Sequence, residues 1–170
     1  MNKINSILLF LVIVLALLVF YAPSSTPKNK VQILTRLSKD QIQQIHIMRK
    51  SLPEIQLKKI QGDWQLISTQ NQPANPEMIS KILDLLTTRS YQHFSSVNKK
   101  LNRYGLEQAD TIIRFNEMEI SFGNEEPLHG HRYILFKQQI HLINNYYYYL
   151  LRSPITKLIH EKETAQHPNG

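Results

Sequence analysis

QIHIMRKSLPEIQLKKIQGDWQL, residues 44–66, decides how this chain is read. Ile45 and Ile47 flank His46, Ile55 and Leu57 flank Gln56, and Trp64 and Leu66 flank Gln65. Side chains along a strand point alternately to opposite faces, so each stretch reads as a strand with one apolar face. Lys50-Ser51-Leu52-Pro53 and Gly62-Asp63 break the pattern with turn residues, which gives three consecutive strands. Asn71 to Pro76 is then a loop in which Asn75 caps a helix whose first position is Pro76. Met78, Ile79, Ile82, Leu83, Leu85 and Leu86 recur at helical spacing, an amphipathic helix of about three turns.

The same order returns downstream. After a strand-like Tyr91–Val97 and the basic link Lys99-Lys100-Leu101-Asn102-Arg103 come four alternating stretches: Thr111–Phe115, Met118–Phe122, Arg132–Phe136 and Gln139–Ile143. A last helix begins near Asn145, and Pro154 breaks it or opens a new first turn. Several strands and then a helix, twice over, predict an α+β fold made by duplicating one β-meander-plus-helix unit. The soluble domain spans 38–158, with halves at about 38–97 and 104–158, and 159–170 is a polar tail.

Composition narrows the function. The 170 residues carry a formal charge of +7, five Gly and no Cys. Without Cys there is no disulfide scaffold, thiol nucleophile or thiolate metal ligand. The five glycines are too scattered for a phosphate-cradling loop, and no Gly-x-Ser-x-Gly or His-Glu-x-x-His pattern occurs. No catalytic residue and no cofactor are therefore assigned. Glu117, Glu119, Glu125 and Glu126 read as solvated carboxylates.

Ahead of the domain, a tail of residues 1–6 leads into ILLFLVIVLALLVFYA, residues 7–22, sixteen residues with no polar group except the tyrosine hydroxyl. The run covers about 24 Å of helix, near the length that spans a bilayer core. A cleaved signal is the competing reading, but Phe20 and Pro23 suit a cut after Ala22 poorly. An uncleaved transmembrane anchor with a polar tether at 23–37 behind it is favoured. Lys28 and Lys30 come after the run while only Lys3 precedes it, so charge alone does not fix the orientation. Export of the large downstream domain places it in the periplasm of a bacterial inner membrane.

In these features the chain resembles the membrane-anchored domain-of-unknown-function 4340 family. The tether, the opening QIHI…EIQLKKIQGDWQLI, Tyr104-Gly105-Leu106 running into Thr111–Phe115, and the EISFG at Glu119–Gly123 carry the resemblance. Its most specific elements are Gly-x-Trp-x-Leu at Gly62–Leu66 and the Tyr-Gly-Leu turn. The resemblance implies an envelope protein, in some relatives an accessory to ABC-type transport systems, with no catalytic residues to carry over.

Three groups of residues invite a site. For a metal, His129-x-His131 with His141 is the best constellation. A two-residue turn at Lys137-Gln138 would pair Phe136 with Gln139 and Ile134 with His141, and set His131 opposite Asn144. His131 and His141 then face opposite sides, so no metal is assigned and solvent-facing histidines are expected. The cations Lys58, Lys59, Lys99, Lys100 and Arg103 suit an anionic polymer or lipid, nucleic acid being out of place behind a membrane anchor. Tyr146-Tyr147-Tyr148-Tyr149 sweep about 300° of a helix, far more than one core-facing stripe, so one or two rings must face outward. With the five cations they form the expected interaction surface. The function expected is a non-catalytic accessory or scaffold subunit, with the bilayer and an ABC-type permease as partners. A binding module for peptidoglycan or phospholipid is the alternative.

Overall fold

A computed structural model describes residues 10–17, 32–69 and 71–160. Residues 10–17 are helical (α1) and exposed; the rest of the apolar run at 7–22 lies outside the described residues. Among the described residues no helix is long and apolar enough to cross a membrane.

The domain is mixed α+β and mostly sheet. In chain order it contains β1 (Gln32–Ile33), β2 (Gln44–Arg49), β3 (Ile55–Ile60), β4 (Asp63–Leu66), β5 (Gln72–Pro73), α2 (Pro76–Leu83), β6 (Arg89–Ser90) and β7 (Gln92–Ser95). Next come β8 (Thr111–Phe115), β9 (Met118–Glu125), β10 (His131–Phe136), β11 (Gln139–Asn144) and α3 (Tyr146–Leu151). Nine strands form one antiparallel sheet in the order β5-β4-β3-β2-β8-β9-β10-β11-β7, and β1 pairs with β6 apart from it.

That order places two four-stranded meanders back to back. Their first strands, β2 and β8, pair at the centre with Ile47 opposite Ile113, and each meander runs outward from there. Within each, the core residues match in register: Leu57 lies between Ile45 and Leu66, and Phe122 between Thr111 and Ile134. Each meander ends in a helix, and the segment after each helix crosses to the other half. β7, after α2, pairs with β11; Ile159, after α3, bridges Ala74 beside β5.

One face of the sheet carries the core. Ile47, Ile113, Ile120, Phe122, Ile134 and Leu66 are fully buried there against Ile79, Ile82, Leu85 and Leu86 from α2 and its 3-10 extension, and Leu151 from α3. Asn75 caps α2 as expected, accepting from the Glu77 and Met78 amides, with Pro76 in the first turn. Burial in the helix comes from the predicted residues, but the regular α-helix stops at Leu83 and Asp84–Thr87 tightens to 3-10 geometry.

Several boundaries differ from expectation. The loop after Leu66 contains the short strand β5, and Tyr91–Val97 shrinks to β7. β9 runs on to Glu125 because a register shift between Arg132 and Ile134 inserts an extra residue and lets the strand continue past the bulge. Residues 32–37, read as the end of a tether, pack on the domain: Leu34 and Thr35 are buried and their amides donate to the Thr88 and Leu86 carbonyls. An apolar Leu beside a β-branched Thr gains more from burial than a solvated linker would. The start of the polar tail is likewise tied, His160 N–H donating to Pro73 O.

Candidate functional site

α3 and the β9–β10 loop concentrate the polar chemistry of the domain. Arg132, on the core face of β10, is 8% exposed. Its Nε donates to Asn145 Oδ1 at 2.6 Å and its Nη1 to Gly123 O at 2.6 Å, and Nη2 lies 3.5 Å from Glu125 Oε2. Asn145 closes the ring by donating to the same Glu125 oxygen at 2.6 Å. The guanidinium carbon sits 3.6 Å from the centroid of the Tyr148 ring, whose hydroxyl donates to Asp110 at 2.9 Å. Burial first, then the Asp110 carboxylate, hold the Tyr148 hydroxyl above its ordinary pKa.

The other end of α3 is fastened by Arg49. This guanidinium, reaching from β2, donates to Leu151 O and Ser153 O and also to Pro53 O. Carbonyls at a helix C-terminus lack intrahelical donors and carry negative partial charge, which a buried cation satisfies. Burial and then the neighbouring Arg152 lower the Arg49 pKa. α3 is thus bolted to the sheet at both ends, which nothing in its four-tyrosine sequence reveals.

Two short motifs make a turn that frames this cluster. Tyr104-Gly105-Leu106 ends a 3-10 turn with Gly105 in the left-handed region, φ 68°. A Cβ at Gly105 would meet Asn124 Oδ1 at 2.3 Å, and one at Gly123 would meet Tyr104 O at 2.1 Å. The Tyr-Gly-Leu turn and the Phe-Gly-Asn of β9 therefore interlock through two missing side chains. A cleft of about 420 Å³ opens between them, lined by Asp110, Glu125, Arg132 and Tyr148 among others.

The expected interaction residues separate in space. Tyr146 and Tyr149 are 48% and 60% exposed, while Tyr147 and Tyr148 pack against the core. The cations do not gather around them. Lys58 and Lys59 lie on β3, whereas Lys99, Lys100 and Arg103 come after β7, the strand at the far edge, six positions along the sheet from β3. Lys58 alternates with buried Leu57 and so points to the face opposite the helices.

The histidines need two corrections. The β10–β11 register is as anticipated: Phe136 faces Gln139, Ile134 faces His141, and His131 faces Asn144. His141, however, is buried rather than solvent-facing, and contacts Ser90 Oγ through Nδ1 at 3.0 Å. Burial and then His93 depress its pKa to about 4. Ser90 is 1% and His141 4% exposed, and His141 lines the floor of a cleft beside residues 32–37. Secondly, Glu126 brings a carboxylate within 4.8 Å of donor atoms of His129 and His131. Glu126, read as solvated, is buried, and its oxygens accept from the Leu128 and His129 amides at 3.1 and 2.8 Å. Burial opposes its charge, but these amides and the His129 ring outweigh that and hold its pKa below the ordinary range. The signal in the sequence is the spacing Glu126-x-x-His129-x-His131, in which the carboxylate stands one turn ahead of the histidines.

The family model described as Domain of unknown function (DUF4340) matches residues 64–167. The match begins at Trp64, so the framing motifs, the arginine cluster and α3 lie inside it, and β2 and β3 before it. No curated protein and no solved structure matches the chain. With more than half of its length matched, the chain belongs to the family described as Domain of unknown function (DUF4340).

Proposed function

We propose that this is a single-pass, membrane-tethered envelope protein whose folded domain is a non-catalytic accessory or scaffold subunit, docking a membrane partner through α3. In this reading residues 7–22 anchor the chain in a bacterial inner membrane, the domain faces the periplasm, and an ABC-type permease is the partner class. The observation that carries it is the construction of α3. Arg49, Arg132 and Asn145 hold the helix from within while Tyr146 and Tyr149 remain about half exposed to solvent. Tyrosine offers large apolar area with a polar tip at low entropic cost, which suits a protein interface. A rigid helix loses little freedom on binding. The polar groups that would otherwise suggest catalysis, Arg132, Glu125 and Asp110, are spent on holding the helix.

The anchor supports this role by confining the domain to the membrane plane and raising its effective concentration near membrane partners. The back-to-back meanders, with each half closing the other's outer edge, support descent from a duplicated β-meander-plus-helix unit. The scattered placement of the cations favours this reading over an anionic-ligand module. Crosslinking with mass spectrometry in intact cells tests it: recovery of one membrane protein, lost in Tyr146→Ser/Tyr149→Ser, is expected. Recovery of no membrane partner contradicts it.

A further inference from the structure

We propose that Glu126, His129 and His131, at the start of the β9–β10 loop and of β10, form a binding site for a divalent transition-metal ion such as Zn2+, Cu2+ or Ni2+. One donor atom from each lies within 4.8 Å of the other two. An ion held tetrahedrally at 2.0–2.2 Å from its ligands sets neighbouring donors about 3.3–3.6 Å apart. Glu126 Oε2 and His129 Nδ1 already stand 3.3 Å apart. His129 has a 68% exposed side chain and is free to swing the remaining distance.

The other two donors are held in place by the fold. The Glu126 carboxylate is fixed by the Leu128 and His129 amides, each of which leaves a lone pair of its oxygen available. His131 is stacked on Tyr91, centroids 4.0 Å apart and planes 14° from parallel, and its carbonyl accepts from Glu126 N–H at 2.6 Å. Gly130 takes φ 65°, the left-handed turn that brings His129 back toward Glu126. Groups that orient ligands from behind are as much a part of a metal site as the ligands themselves. Two imidazoles with one carboxylate select for ions that prefer nitrogen, not for Ca2+ or Mg2+. With His129 exposed, a bound ion would take its fourth ligand from solvent.

The inference does not rest on the docking role of α3, and its test is separate. The full chain in detergent is titrated with Zn2+ alone, and binding is monitored by calorimetry. One ion per chain is expected. His129→Ala alters only an exposed side chain, and His131→Phe keeps a ring against Tyr91 without a donor. Each weakens binding by more than about tenfold, the loss that removing even a group behind a ligand can cause. His46→Ala and His160→Ala leave binding unchanged. Absence of saturable uptake overturns the site, as does wild-type affinity in either His129→Ala or His131→Phe.

Discussion

Trp64 and Arg132 stand at the same place in the two halves of the sheet, each two residues ahead of a fully buried aliphatic, Leu66 or Ile134. Around Trp64 the chain is plain: a tight hairpin through Gln61 and Gly62, then the short strand β5. Beside Arg132 the neighbouring strand β9 bulges, a carboxamide and a carboxylate close on the guanidinium, and a helix of tyrosines is pinned overhead. One architecture thus serves two ends. The first half supplies core and edge, and the second carries the exposed rings and the loop of Glu126. Burying an arginine is costly unless its donors are met, and the bonds to Asn145 and the Gly123 carbonyl are what offset that cost where the first half has an indole.

The comparison can be broken most forcefully at its shared core. Leu57 and Phe122 occupy matching positions, and removing either side chain leaves a cavity. Phe122→Ala is expected to cost about 4 kcal/mol and Leu57→Ala about 3 kcal/mol, measured by denaturant unfolding. A large loss at one site and almost none at the other would mean that the halves are not one cooperative unit.

Arg132→Ala comes next. It strands Asn145 and the Gly123 carbonyl, and a loss of about 3 kcal/mol is expected. Arg132→Met, which fills the same space without charge, should recover part of the stability yet loosen α3, read as faster amide exchange at Tyr149.

Acid sharpens the contrast further, since His141 belongs to the second half only. Its native pKa near 4 lies below the ordinary 6.5, so the unfolded chain takes up the proton first. Stability therefore falls as pH drops from about 6.5 towards 4, by about 2 kcal/mol after allowance for solvent screening. His141→Gln removes that portion of the slope in unfolding experiments run across the same pH range.

The smallest effect on folding is expected at the rings proposed for docking. Tyr149→Ser should change stability by less than about 0.5 kcal/mol, because its side chain is mostly exposed and meets the fold chiefly through an edge-on contact with Tyr148. The same substitution should abolish partner capture.

Where the sequence was legible, the reason is local. Alternation in Ile45–Leu57 and Ile113–Phe122 declares the sheet because a single buried face demands it, and Asn75-Pro76 declares a helix start by its own chemistry. The β10–β11 register came from a two-residue turn in which both Lys137 and Gln138 take positive φ. The four tyrosines revealed by helical geometry that some ring must face outward. Illegible were contacts made at long range. Arg49 bonds carbonyls about a hundred positions away, and nothing near it in the chain hints at that. The joining of each half's trailing segment to the other half's edge is likewise a tertiary event, invisible to any window of sequence. Glu126 was hidden differently: its neighbours Glu125 and Pro127 suggest an open loop, and only the turn that its own carboxylate caps draws it inside.

The most direct test of the docking role compares the two helices in one experiment. A photo-crosslinking amino acid is placed at position 149 on α3 and, in a second strain, at Glu77 on the exposed side of α2, and both are irradiated in intact cells. The account predicts a single membrane-protein adduct from position 149 and none from position 77. Equal adducts from both positions, or none from position 149, would contradict it.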